Sequence, residues 1–129
     1  MKVEFSAFPK AFAGNVATFV GADKQLQATA RSIDTALGGA LVRSIEASRF
    51  TGAKNQTLAV LGQANFGRLM LLGTGRPRDL DARAAEALGG LVAAEANASG
   101  LKDVTIVVDA IKGNRAPPAL IAAHIALGA

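Results

Sequence analysis

The stretch Arg68-Leu69-Met70-Leu71-Leu72-Gly73-Thr74-Gly75 sets the reading of the whole chain. A compact apolar run with a glycine pair directly behind it predicts a strand over 68–72, ended by a tight turn. A helix should follow from Asp79 or Asp81 to Ser99. An aspartate caps its start, Leu80, Ala84, Leu88 and Leu91 form one stripe, and Gly100 ends it in a left-handed turn. Beyond it, Val104-Thr105-Ile106-Val107-Val108 is β-branched throughout and apolar on both faces, as a buried parallel strand requires. Strand, turn, helix and strand in this order are the unit of an α/β sheet.

Working outward, Gln56 to Leu61, Val16 to Val20 and Lys2 to Phe5 read as further strands, with Pro9 and Gly14 between the last two. Ile33, Leu37, Leu41 and Ile45 recur every four residues, which predicts one helix from Ser32, its cap, to Arg49. Gly38-Gly39 in its middle costs roughly 1 kcal/mol per residue relative to alanine, and is expected where a neighbouring backbone comes close. Pro117 and Pro118 suit a first helical turn, and Ala119 to Ala129 continues as helix. That helix is apolar, with His124 its lone ionisable side chain, and its abrupt close suggests a chain cut inside a helix. The expected fold is α/β, a mostly parallel or mixed sheet with helices, in one domain over residues 1–129.

Composition narrows function. The chain has no cysteine, which excludes disulfides, thiolate metal sites and a cysteine nucleophile. It has no tryptophan or tyrosine, so the core rests on Leu, Ile, Val and six Phe. No apolar stretch approaches the ~20 residues of a membrane span, and Met1-Lys2-Val3-Glu4-Phe5 opens no secretory signal, so a cytoplasmic location without a membrane is expected. A net charge of +4 and a pI near 10.0 invite nucleic-acid binding, although the fourteen basic residues form no run.

The candidate site is Gly73, Thr74, Gly75, Arg76 and Arg78. Backbone N–H groups between a strand and a helix can hold a phosphate, and the arginines can neutralise an anion or nucleic acid there. The dinucleotide fingerprint is incomplete, since Arg78 stands where a third glycine belongs, and no P-loop lysine follows. His124 has no carboxylates at helical spacing to share a zinc ion, and Glu86 and Glu95 lie too far apart on one helix for a single site. No Gly-x-Ser-x-Gly elbow is present. Asp109, at the end of the β-branched strand, either serves a site or satisfies the loop toward Gly113-Asn114.

The segment Leu69 to Asp81, followed by the small-residue helix Ala82 to Ser99, the strand Val104 to Val108 and the helix Leu120 to Ala129, resembles the N-terminal domain of leucyl aminopeptidases, the M17 cytosol aminopeptidase family. Phe50-Thr51-Gly52-Ala53-Lys54 and Gln56 to Leu61 are similar to that family's third-strand region. The resemblance covers nearly the whole chain, most loosely over residues 1–30.

It implies a macro-domain-like fold with helices on both faces of a mixed sheet. It also implies a cytoplasmic homohexameric parent that releases N-terminal amino acids from peptides with two divalent metal ions, zinc or manganese. The family's metal carboxylates and catalytic lysine belong to a C-terminal catalytic domain, which would be this chain's partner. None of those motifs occurs here, so the resemblance implies an inactive domain serving assembly or regulation, without a cofactor of its own. Some bacterial members bind DNA. The alternatives are a stand-alone macro-like module that binds ADP-ribose or a related nucleotide, and a DNA-binding regulatory domain.

Overall fold

The alternation of side chains along two neighbouring strands decides where the core forms. A computed structural model describes residues 12–129 of the chain. The strand expected over Lys2 to Phe5 lies outside those residues. Strand β1 (Gly14–Gly21) runs parallel to β4 (Phe66–Gly75), with Ala17 opposite Met70, Thr18 opposite Leu71 and Phe19 opposite Leu72. Successive residues of a strand face opposite sides, so this pair feeds two cores. Ala17, Phe19, Met70 and Leu72 meet α3 (Ala82–Ala98) and α4 (Pro118–Gly128) through Ala84, Leu88, Val92, Ile121 and Ile125. Val16, Val20, Leu69 and Leu71 face the other way, onto Ile33, Leu41 and Ile45 of α1 (Ala28–Ala36) and α2 (Ala40–Glu46). Helices therefore cover both faces of the sheet.

Strand β3 (Thr57–Leu61) pairs antiparallel with β4, from Thr57 opposite Leu72 to Leu61 opposite Arg68. The other edge of β1 is shared. Strand β2 (Gln25–Leu26) pairs antiparallel with its C-terminal end, and β5 (Thr105–Ile106) pairs parallel with Val16 and Ala17. The sheet is mixed, and the architecture is α/β.

Three local expectations are corrected. The helix expected over Ser32 to Arg49 is two helices, and the first starts at Ala28, ahead of Ser32. Gly38 and Gly39 have φ of 65° and 88°, the left-handed region that glycine enters without steric cost. A Cβ at Gly38 would meet nothing within 4 Å, so the pair exists for the turn and not for a close neighbour. Asp34 makes the break stable, because its Oδ1 accepts from the Leu41 and Val42 N–H groups at 2.8 and 3.0 Å and so caps α2. The four-residue stripe still lies on one side, with Ile33, Leu41 and Ile45 buried.

Second, the Val104 to Val108 strand contracts to Thr105–Ile106. Its partner edge on β1 is taken by β2 farther along, and only the Val107 N–H, donating to the Ala17 carbonyl at 2.9 Å, extends the pairing. Val104, Ile106 and Val108 are accordingly half-buried and not buried on both faces. Third, Gly73-Thr74-Gly75 does not follow β4 but forms its last residues.

The caps of α3 stand as the sequence requires. Asp81 accepts from the Ala84 N–H at 2.9 Å, and Gly100 turns the chain at φ 67°. Two buried side-chain atoms have no hydrogen-bond partner among the described residues, His124 Nδ1 on α4 and Thr18 Oγ1 in the middle of β1. Thr18→Val keeps the shape and removes an unsatisfied hydroxyl, so it should raise stability by about 1 kcal/mol, read from the urea-unfolding midpoint.

Candidate functional site

Glycine lets backbones touch, and at the end of β4 they do. The register shifts between Val20 opposite Gly73 and Gly21 opposite Gly75, which leaves Thr74 as the extra residue of a bulge. The loop ahead of β3 crosses over this bulge. Its shape is set by Gln56, whose Oε1 accepts from Thr51 N, Thr51 Oγ1 and Ala53 N at 2.9, 3.1 and 3.2 Å. Gly52, at φ 81°, sits so close to β1 that a Cβ there would fall 2.0 Å from the Gly21 carbonyl oxygen. A Cβ at Gly73 would lie 2.1 Å from the Ala53 carbonyl oxygen.

The Gly73 N–H donates to the Gln56 carbonyl at 2.7 Å, and the Gly75 N–H donates to the Gly52 carbonyl at 2.9 Å. Thr74 is buried, with its hydroxyl 3.4 Å from the Val20 carbonyl. The N–H donors of both glycines are therefore occupied by the protein's own carbonyls. A compact nucleotide cradle at this position is not favoured, and with it the ADP-ribose alternative. Gly73→Ala should destabilise the fold by about 2–3 kcal/mol, because the atoms it would strike are backbone and cannot rotate away; thermal unfolding reads the loss.

Just past the glycines the surface is charged. Arg76 N donates to Asp79 Oδ2 at 3.0 Å, and Arg76 Nε approaches the same oxygen at 3.3 Å. The backbone N–H of Arg76 holds the Asp79 carboxyl below the ordinary aspartate range; desolvation opposes this, and the Arg76 side chain and the charges of Arg76 and Arg78 add to it. A lowered native pKa means that this contribution is present at neutral pH and lost as pH falls through that value.

Arg78 is exposed in the 3-10 turn Pro77–Asp79. A second loop is fastened onto this turn. Asn114 Nδ2 donates to the carbonyls of Pro77 and Leu80 at 2.7 and 2.9 Å, and Gly113 faces the Pro77 ring. That fastening brings Lys112 and Arg115, both exposed, alongside Arg76 and Arg78. Lys54 joins them, since its Cβ would lie 3.5 Å from a Cβ at Gly75. Lys54 and the Lys112–Arg115 pair are far from Arg76 and Arg78 in sequence, and nothing in their spacing marks them as one cluster.

The other candidates separate. Asp109 is buried away from that loop, where Oδ2 accepts from the Thr29 N–H at 3.1 Å and Oδ1 from the Thr29 hydroxyl at 2.7 Å. It serves the first turn of α1, which its own cap residue Gln27 leaves without a side-chain acceptor, and not the loop toward Gly113-Asn114. His124 is half-buried on α4, and its Nδ1 has no hydrogen-bond partner among the described residues. Glu95 of α3 is held by Arg68 of β4, apart from any cluster with Glu86. Among the described residues no group of three or more His, Cys, Asp or Glu could hold a metal ion.

The model of the cytosol aminopeptidase family's N-terminal domain matches residues 16–129. The chain belongs to this family. Its fold is similar to part of a tomato leucine aminopeptidase variant, with a TM-score of 0.72 at 19% identity over 91% of the chain. The match spans 25% of the tomato enzyme's chain. No curated protein matches by sequence. In this member of the cytosol aminopeptidase family, the segment Phe50 to Lys54 is the loop that packs Gly52 and Ala53 against β1 and β4. No helix among the described residues is long and apolar enough to cross a membrane.

Proposed function

We propose that the chain is the non-catalytic N-terminal domain of a leucyl aminopeptidase, occupying residues 1–129 and serving the assembly or regulation of a catalytic domain that follows it. The match of residues 16–129 to the family's N-terminal domain carries this reading. The residues present do not fit the two zinc or manganese ions of the family's chemistry, because among those described no metal-holding group exists. The metals, the release of N-terminal amino acids from peptides and the catalytic residues are assigned to the following domain. A homohexameric parent and a cytoplasmic location belong to the same proposal.

The coding frame after Ala129 tests it. Continuation into a domain bearing the family's lysine and metal carboxylates is expected, and a stop codon there would overturn the reading. In parallel, the 129-residue chain with added manganese or zinc should leave leucine p-nitroanilide intact. Hydrolysis by this chain would place catalysis within it and remove the non-catalytic assignment.

A further inference from the structure

Strand β3 is an open edge of the sheet, unused by that reading and independent of it. Its only strand partner among the described residues is β4. The Gly73 N–H donates to the Gln56 carbonyl at 2.7 Å, so Gln56 turns its backbone toward β4. Backbone groups alternate in direction along an antiparallel strand. Leu58 and Val60 therefore also bond to β4, while Thr57, Ala59 and Leu61 aim their N–H and C=O groups outward. All three are exposed, Leu61 to 57%. The segment Asn55 to Gln63 carries no charge and no proline, the devices that usually keep a strand edge from pairing.

A groove opens beside the Thr57 end of this edge. It encloses about 400 Å³ and is lined by Ser48, Arg49, Phe50, Gln56, Thr57 and Leu58. Phe50 is buried and Leu58 half-buried, which gives the groove an apolar floor. Arg49 is exposed, and among the described residues it has no carboxylate within ion-pairing distance. We propose that β3 and this groove bind the extended C-terminal tail of a partner protein, added to the sheet as an antiparallel strand.

Charge sets the direction. A tail antiparallel to β3 enters at Leu61 and ends at Thr57, which brings its terminal carboxylate to Arg49. A parallel tail would end at Leu61, where Gly62, Gln63, Ala64 and Asn65 offer no cation. Directly opposed residues of antiparallel strands share a face, so the tail residue opposite Leu58 points to the side of Phe50. An apolar side chain there fills the groove. A second copy of this chain meets the edge less well, because antiparallel pairing would set the uncharged residues Gly62 to Asn65 against Arg49.

The test is fluorescence anisotropy of the full chain with a labelled peptide of about eight residues, alternating threonine and valine and ending in leucine with a free carboxylate. The same peptide with a C-terminal amide should bind about tenfold more weakly, the share of one charge-assisted hydrogen bond. Arg49→Gln should cost the acid peptide about tenfold and the amide less than about twofold, since only the acid uses the guanidinium. N-methylation of one set of alternate peptide residues should abolish binding and of the other set should be tolerated, because only alternate N–H groups face β3. These peptide changes leave the protein's own fold untouched.

Equal affinity for acid and amide would overturn the proposal, as would tolerance of both N-methylated sets or no binding at about 1 mM peptide. So would dimerisation of the chain alone that Ala59→Pro abolishes and the peptide does not, since a second copy would then hold the edge.

Discussion

Gly89→Ala should destabilise the protein by about 3 kcal/mol, while Gly90→Ala, one residue on, should be neutral or stabilise it by up to about 1 kcal/mol. Alanine is the better helix former, so propensity alone predicts a gain at both positions. Packing reverses the sign at one of them. A Cβ on Gly89 would lie 2.0 Å from the Ile125 carbonyl oxygen and 2.9 Å from the Ala129 nitrogen, both in α4 or its cap. A Cβ on Gly90 would meet only the Gly128 carbonyl oxygen at 3.6 Å, an ordinary contact. From the facing helix, a Cβ on Gly128 would fall 1.8 Å from the Glu86 carbonyl oxygen.

The two helices thus touch backbone to backbone, and a methyl group at Gly89 can be admitted only by moving α4 off α3. That displacement would also expose Ile121 and Ile125, which are buried against Leu88 and Val92. Urea unfolding of the two variants side by side provides the check. A stabilised Gly89→Ala would mean that the helices are not in contact at this crossing.

The second large effect is expected at Asp109. Asp109→Ala should cost about 2–4 kcal/mol, because it removes two acceptors from a buried site and leaves the Thr29 N–H and hydroxyl without partners. Asp109→Asn keeps one carbonyl oxygen for the backbone N–H and should lose about half as much. The contact joins residues 80 apart in sequence, tying the segment after β5 to the start of α1. A double-mutant cycle with Thr29→Val isolates the hydroxyl bond, with a coupling of about 1 kcal/mol or more. A loss at Asp109→Ala within about 0.5 kcal/mol, the range of ordinary surface changes, would show that α1 needs no cap from across the fold.

The same positions divide what was legible in the sequence from what was not. Pattern carried the α/β class, because the unbroken apolar run Leu69 to Leu72 and the near-fourfold recurrence of Ile33, Leu37, Leu41 and Ile45 are imposed by burial itself. Local chemistry carried the limits of α3, where Asp81 and Gly100 act on neighbours within a turn. Those signals need no knowledge of distant residues. The order of segments also carried the family resemblance.

The candidate site depended on a different kind of fact. Gly73-Thr74-Gly75 reads as an open turn until the loop carrying Gly52 and Gln56 is placed over it and its amides are seen to be donating. Lys112 and Arg115 join Arg76 and Arg78 only because Asn114 reaches the Pro77 and Leu80 carbonyls. Asp109 caps its helix through Thr29, 80 residues earlier, an arrangement without local signature.

By itself, then, the sequence determined the main apolar stripes of the core, where most helices and strands lie and to which family the chain is similar, since these follow from local pattern and composition. The tertiary structure alone decided where the helix breaks into two, how short β5 is, which amides are free and which charges stand together. Each of those outcomes turns on a contact between segments far apart in the chain, and such contacts exist only once the sheet has closed and the helices have docked.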